Sequence, residues 1–136
     1  MVTIKQISPH ETYAIRQQVL WPSKSIEALA VTGDETALHL GALHMTSLVG
    51  VGSFFYEGTS VRLRKLAVLP DFQGQGIGQR LIETAIEKLA QTSARELWCD
   101  ARETALPFYE KLGFSVSGDI FHKDGLPYFK AHKNFM

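Results

Sequence analysis

Alternating apolar and polar positions divide most of the chain into strand-like segments, and a few stretches instead show the three- and four-residue apolar spacing of helices. The strand-like segments are Val2–Ile7, Thr36–Met45, Leu48–Tyr56, Val61–Leu69, Arg95–Ala101, Phe114–His122 and Leu126–Lys133. Helices are predicted from Pro9 to about Leu20, from the glycines at 74–78 to Leu89, and from about Thr104 to Gly113, with a short helix within 23–34. This order predicts an α+β protein with a mixed, largely antiparallel sheet and helices on both of its faces.

Local signals support several of these boundaries. Ser8 and Glu11 have the spacing of a capping box around Pro9, and Trp21-Pro22 should end the first helix. Asp124-Gly125 is typical of a tight hairpin turn. The polar residues of Val61–Leu69 lie in its first half, so we expect the second half to be buried.

Three glycines at alternate positions, Gly74, Gly76 and Gly78, separate an apolar strand from an amphipathic helix. Glycine permits positive φ and a close approach of a ligand to the main chain. The free amides and the dipole at the N-terminus of the following helix favour a phosphate-type anion. The stretch therefore predicts a cradle for a pyrophosphate.

The spacing of these glycines excludes two common phosphate-binding motifs. A dinucleotide fingerprint would need its third glycine one residue later, and a Walker loop would need lysine and a hydroxyl residue after Gly78, where Gln79 and Arg80 stand. The pattern that fits is Q/R-x-x-G-x-G/A, filled by Gln73, Gly76 and Gly78.

At these residues the chain resembles the GNAT superfamily of acyl-CoA-dependent N-acyltransferases. Residues 102–114 are similar to the second signature of that family, A-x-x-F-Y-x-K-x-G-F, and the distance between the two signatures also suits it. Together they span about a third of the chain. The resemblance implies a three-layer α/β/α arrangement with a GNAT-type sheet of about seven strands, over a single domain covering residues 1–136.

The resemblance also implies positions for the cofactor and for one catalytic group. Strand 64–68 looks like the strand that holds pantetheine, and the strands ending at Val68 and near Ala101 should splay apart to admit it. Tyr109 would protonate the leaving thiolate, and a backbone amide near Val68 would meet the oxyanion. The expected cofactor-binding residues are Leu66, Ala67, Val68, Gln73, Gly74, Gln75, Gly76, Ile77, Gly78, Gln79, Arg102 and Phe108. Arg102 stands where the family often has asparagine.

The function implied by the resemblance is transfer of an acyl group, most often acetyl, from acetyl-CoA to a primary amine by direct attack in a ternary complex. The acceptor would be a small amine, amino sugar or amino acid. A protein acceptor, a non-catalytic acyl-CoA-sensing domain and a nucleotide-binding module unrelated to CoA are the alternatives, and the motif spacing opposes the last.

The sequence does not identify the general base, because the strand before the glycines has no carboxylate. An ordered water chain, Asp100 or His44 could serve. Arg64 and Lys65 either bind an acidic group of the acceptor or are solvent-facing cations. Cys99, in mid-strand, is expected to be a buried structural thiol rather than an acylated nucleophile.

The composition mainly argues against certain partners and sites. The 136 residues contain 14 Lys plus Arg and 14 Asp plus Glu, so charge gives no reason to expect a nucleic-acid or membrane partner. One cysteine excludes an intrachain disulfide, and five histidines without ligand spacing give no reason to expect a metal. No export signal or membrane-spanning run is seen, so a cytoplasmic protein is expected. A homodimer is plausible on family grounds alone.

Overall fold

A seven-stranded sheet forms the middle of the protein, and its strands follow the predicted segments closely. The computed structural model describes residues 2–135, apart from the side chains of residues 26 and 27. The strands are β1 (Val2–Gln6), β2 (Leu38–His44), β3 (Ser47–Glu57), β4 (Ser60–Val68), β5 (Glu96–Arg102), β6 (Ser115–Lys123) and β7 (Leu126–Asn134). The α-helices are α1 (Pro9–Ile15), α2 (Ile77–Leu89) and α3 (Leu106–Lys111).

The strand order is β1-β2-β3-β4-β5-β7-β6, and every neighbouring pair is antiparallel except β4 and β5. These two strands are parallel because α2 carries the chain from the end of one back to the start of the other. The predicted mixed, mostly antiparallel sheet of seven strands is confirmed.

Helices cover both faces of the sheet. Leu81, Ile82 and Ala85 of α2 are fully buried in one apolar cluster with Val61 and Leu97 of the sheet. On the opposite face, Ile15 of α1 packs in a smaller cluster with Val51 and Ala67. We call these the α2 face and the α1 face. The predicted three-layer arrangement is confirmed.

The parallel pairing of β4 with β5 is short. It covers Ser60 with Glu96, Val61 with Leu97 and Arg62 with Trp98, and no pairs follow these. The second half of β4 therefore has β3 on one side and an opening on the other. The expectation that this half is buried holds for Ala67, which is 4% exposed. It was wrong for Leu66 and Val68, which are only partly buried because their edge has no neighbouring strand.

The first helix extends as far as predicted, but it changes form. The α-helical part ends at Ile15, and residues 16–20 form a wider π-helical turn. The Trp21 N–H donates to the Arg16 carbonyl at 3.1 Å, which closes this turn. Trp21 then leaves the helical region, with φ of −140°, as the residue before a proline is expected to do.

The predicted tight turn at Asp124-Gly125 is present, with φ of 52° and 77° for its two residues. Within residues 2–135, no helix has the length and apolar character that a bilayer crossing requires.

Candidate functional site

The opening between β4 and β5 continues into a groove of about 600 Å³ on the α2 face. Its walls come from the second half of β4, the glycine loop and the start of α2, and the first turn of α3. The lining residues are Leu66, Ala67, Val68, Phe72, Gln73, Gly74, Gly76, Ile77, Gly78, Gln79, Pro107, Phe108 and Lys111. We refer to it as the glycine-loop groove.

Two of the glycines are required by the backbone of this loop. Gly74 and Gly76 have φ of 78° and 80°, in the left-handed region that side chains disfavour. A Cβ at either position would meet no protein atom within 4 Å, so their open side faces away from the protein. Gly76 is also the N-cap of α2, which places the free amides of that helix at the groove.

Gly78 has a different role, in packing. A Cβ at this position would lie 3.4 Å from Cζ of Phe108, so α2 and the first turn of α3 are in close contact here. Phe108 lines the same groove. The glycine loop and the second predicted signature therefore meet at this contact.

The free edge of β4 offers main-chain groups to the groove. The Leu69 N–H donates to the Val49 carbonyl at 2.9 Å, on the β3 side. Because successive residues of a strand point their main-chain groups to opposite sides, those of Val68 and Leu66 point toward the opening. The Val68 carbonyl accepts a hydrogen bond from the Gln73 side-chain amide at 2.9 Å.

Tyr109 lies behind the groove rather than in its lining. The residue is 9% exposed, and the centroid of its ring lies 5.0 Å from that of Phe108 and 5.4 Å from that of Phe114, both in edge-on contacts. Burial, with the neighbouring Cys99 thiol, raises the pKa of Tyr109 well above its ordinary value. Cys99 follows Trp98, the last β5 residue that pairs with β4, so the phenol reaches the point where the strands diverge.

Comparison with known proteins identifies this arrangement. A family model described as an acetyltransferase (GNAT) domain matches residues 9–135. The chain belongs to the GNAT family.

Curated relatives and a solved structure agree. The uncharacterized N-acetyltransferase YitI of Bacillus subtilis (strain 168) is 34% identical over 135 residues, which cover 93% of this chain and 91% of the relative. The [ribosomal protein bS18]-alanine N-acetyltransferase of Haemophilus influenzae is 30% identical over 76% of this chain and 72% of its own. An aminoglycoside 6'-N-acetyltransferase complexed with coenzyme A has the same fold, with a TM-score of 0.83 and 16% identity over 98% and 97% of the two chains. The protein is an acetyl-CoA-dependent N-acetyltransferase of the GNAT family with the GNAT fold.

Most of the predicted cofactor residues of this GNAT enzyme lie together in the groove. Gln75 and Arg102 do not line it. Gln75 is exposed, and its amide donates to the Asp71 carbonyl at 3.4 Å. Arg102 is exposed at the end of β5. Sequence reasoning assigned no role to three lining residues, Phe72, Pro107 and Lys111, although the last two lie within the second signature.

Cys99 of the GNAT enzyme is a poor nucleophile in its present environment. Its side chain belongs to the buried cluster of the α2 face. Burial raises the pKa of the Cys99 thiol to about 12. A thiol that stays protonated at neutral pH has little thiolate to accept an acyl group, as a structural role implies.

Two of the residues considered as a general base have other contacts. The Asp100 carboxylate accepts from Arg62 at 2.8 Å and from Lys123 at 3.3 Å. The His44 ring packs against Phe72, with centroids 5.3 Å apart. Asp100 is thus already engaged by two cations.

A buried polar network on the α1 face was missed by sequence reasoning. Arg16 is fully buried and donates two parallel hydrogen bonds to Asp34, at 2.8 and 2.9 Å, and one to the Ser53 hydroxyl at 3.0 Å. The two nitrogens of the buried His39 ring lie 2.7 Å from the Ser53 hydroxyl and 2.7 Å from the Asp34 carbonyl. The network joins the wide turn after α1 to β2 and β3.

This network favours the ionised form of the Asp34 carboxyl group. Burial would raise the pKa of its carboxyl, but hydrogen bonds from Arg16 and the Val31 N–H, with the Arg16 charge, outweigh burial and hold the pKa below its ordinary value. No sequence signal marks this cluster, because its members are 5 to 37 residues apart.

Proposed function

We propose that this GNAT enzyme transfers an acetyl group from acetyl-CoA to the primary amine of a small molecule, by direct attack in a ternary complex. The observation that carries the proposal is the glycine-loop groove, in which the free edge of β4 and the N-terminus of α2 face one space. An extended pantetheine arm could add to the β4 edge as a further strand would, and the pyrophosphate could occupy the helix N-terminus.

Roles for the lining residues follow from this placement. The main-chain groups of Leu66 and Val68 would bind the pantetheine amides, and residues 73–79 would surround the pyrophosphate. Lys111, at the groove, supplies a cation for the remaining phosphate charge. Phe72, Pro107 and Phe108 would exclude water from the arm.

The chemical step needs no acyl-enzyme. The neutral amine nitrogen attacks the thioester carbonyl carbon, the C–N bond forms and the C–S bond breaks. The nitrogen loses one proton and the departing thiolate gains one, so the products are an amide and the CoA thiol. A main-chain amide near Val68 would stabilise the oxyanion, and Tyr109, kept protonated by burial, would supply the proton to sulfur. The proton released by the amine nitrogen would then restore the phenol, so that no net proton is taken up.

A protein acceptor is the second candidate, and one observation favours it. The Haemophilus influenzae relative is named for acetylation of an alanine of ribosomal protein bS18. We keep the small-molecule acceptor as the proposal. A sensing domain without turnover would still bind acetyl-CoA in the groove, but it would release no CoA thiol. The absence of a metal requirement, a cytoplasmic location and a homodimer stay predictions.

The test is release of free CoA thiol from acetyl-CoA, measured with a panel of small amines and with N-terminal peptides. Amine-dependent release with small amines would support the proposal. Release only with peptides would favour the protein acceptor, and binding of acetyl-CoA without any amine-dependent release would favour the sensing role.

A further inference from the structure

Five cationic side chains gather around the gap between β4 and β5. They come from three strands: Arg62, Arg64 and Lys65 from β4, Lys123 from the end of β6, and Lys130 from β7. We call this group the cationic patch. Its members lie on both sides of the gap, because β4 forms one side and the β5-β7-β6 part of the sheet forms the other.

The patch belongs to the sheet face opposite the glycine-loop groove. Val61 and Leu63 alternate with Arg62 and Arg64 and are buried in the cluster of the α2 face, so the two arginines point to the α1 face. On β7, Lys130 is paired with Asp100, which points the same way because Cys99 and Ala101 are buried toward α2. A molecule bound at the patch could reach the gap from the side that acetyl-CoA would not occupy.

Carboxylates balance the patch only in part. Asp100 bonds to Arg62 and Lys123 and lies at the centre, and Glu57 at the rim accepts from the indole N–H of Trp98 at 3.2 Å. Among the side chains that the structure describes, Arg64, Lys65 and Lys130 have no carboxylate within 4 Å. The whole chain has zero formal charge, so this excess is local.

Aromatic rings hold the cationic groups in place. Arg62 and Lys130 lie over the Trp98 ring, 4.7 and 4.5 Å from its centroid. Lys65 lies over Trp21, with Nζ 3.8 Å from the ring centroid. The patch is therefore formed by ordered contacts rather than by freely moving surface side chains.

Both the backbone conformation and the charge of Lys65 are unfavourable. Its φ of 60° is unusual for a residue with a side chain and coincides with a break in the β3–β4 register. Burial and then the nearby cations, Arg64 first, lower the pKa of Lys65 to about 8. An anion bound beside Lys65 would relieve this repulsion.

From this geometry we infer that the acceptor is an amine that also carries a carboxylate, and that Arg64, Lys65 and Lys130 bind the carboxylate while the amine reaches the gap. The inference rests on the proposed function and names its substrate class. The carboxylate would lie beside these three cations, which have no carboxylate partner among the described side chains. Its attraction to the patch would leave the opposite end of the molecule free for acylation. A cationic acceptor such as a diamine would be repelled.

The protein contains its own probe for this binding. Its two tryptophans, Trp21 and Trp98, are both in contact with patch cations. We would follow tryptophan fluorescence while titrating N-acetylglycine, N-acetyl-β-alanine and N-acetyl-γ-aminobutyrate, each against its uncharged primary amide, at constant ionic strength in the presence of CoA. These molecules are products of the inferred reaction, so their binding requires no turnover.

The expected result is that at least one carboxylate binds ten-fold or more tightly than its amide. Arg64→Gln and Lys65→Gln should each remove most of the affinity difference between carboxylate and amide. Lys88→Gln, which removes an exposed cation on α2, is the matched control and should leave that difference unchanged. Equal affinity of every carboxylate and its amide, or the same loss in Lys88→Gln, would overturn the inference.

A second measurement separates failure of this inference from failure of the proposed function. Thiol release would be compared for ω-amino acids and for alkylamines and diamines of the same chain length. Faster release with amino acids supports the inference, and faster release with alkylamines or diamines overturns it while leaving the acetyltransferase activity intact. If no amine releases thiol, the proposed small-molecule function fails, and the fluorescence titration still decides whether the patch binds carboxylates.

Discussion

Lys65 lies over the ring of Trp21, with its Nζ 3.8 Å from the ring centroid. Trp21 follows the wide turn after α1, whereas Lys65 belongs to β4 of the sheet. The contact fixes the ammonium group next to the gap where β4 and β5 diverge. Burial and the surrounding cations Arg64, Arg16, Lys123 and Arg62 lower the pKa of this ammonium group to about 8.

The affinity for an anionic product should therefore fall as the pH rises through about 8, because Lys65 loses its proton there. The measurement is the fluorescence affinity for the tightest N-acetyl amino acid between about pH 7.5 and 9.5. Lys65→Arg is the control, since arginine stays protonated throughout this range. The same decline in Lys65→Arg would contradict the assignment to Lys65.

The same pKa has an opposite consequence for folding. The pKa of Lys65 in the folded protein, about 8, lies below the ordinary lysine value of 10.5. Folding then favours the neutral amine, so the penalty from Lys65 is full below pH 8 and fades as the pH rises from 8 toward 10.5. The unfolding free energy of the wild type, relative to that of Lys65→Gln, should rise over this window in denaturant titrations.

Replacing Asp34 by alanine should destabilise the protein by about 3–5 kcal/mol, because the buried Arg16 guanidinium loses its carboxylate partner. Glu35→Ala is the matched control, an exposed acid in the same short turn. Urea unfolding would measure both. Similar losses for the two variants would mean that the Arg16–Asp34 pair does not stabilise the fold.

Tyr109→Phe should leave acetyl-CoA affinity unchanged and lower turnover roughly a hundred- to ten-thousandfold, the range for a lost proton donor. The ring contacts with Phe108 and Phe114 are kept in this variant, so folding should be unaffected. Steady-state thiol release with a competent amine measures the effect. Wild-type turnover would remove Tyr109 from the mechanism.

Cys99 should resist alkylation in the folded protein at neutral pH, because burial raises the pKa of its thiol to about 12. Mass spectrometry after iodoacetamide treatment would report the labelled fraction, with the urea-unfolded protein as the fully reactive control. Rapid labelling of the native protein would contradict the buried environment and would reopen an acylated cysteine.

The glycine loop was predictable because its signal is local. Gly74 and Gly76 need left-handed backbone, and the helix that follows has its own apolar spacing. The tight turn at Asp124-Gly125 was predictable for the same reason. In each case a few neighbouring residues determine the conformation.

Other features depend on contacts between distant parts of the chain. The pairing of Arg16 with Asp34 and Ser53 joins residues 18 and 37 positions apart, and no periodicity indicates it. The partial exposure of Val68 follows from where β4 and β5 stop pairing, which the apolar pattern of β4 alone could not reveal. Lys111 was overlooked because its place in the groove depends on how α3 packs beside α2.

Isothermal titration calorimetry on three proteins would show whether acetyl-CoA binds in the glycine-loop groove. Wild type, Gly76→Glu and Gly58→Glu would be compared. Gly58 is matched to Gly76, since it has φ of 68° and open space at its Cβ position, but it lies in the β3–β4 turn outside the groove lining. We expect wild type and Gly58→Glu to bind acetyl-CoA equally, and folded Gly76→Glu to show no measurable binding. Equal binding by Gly76→Glu would contradict binding in this groove.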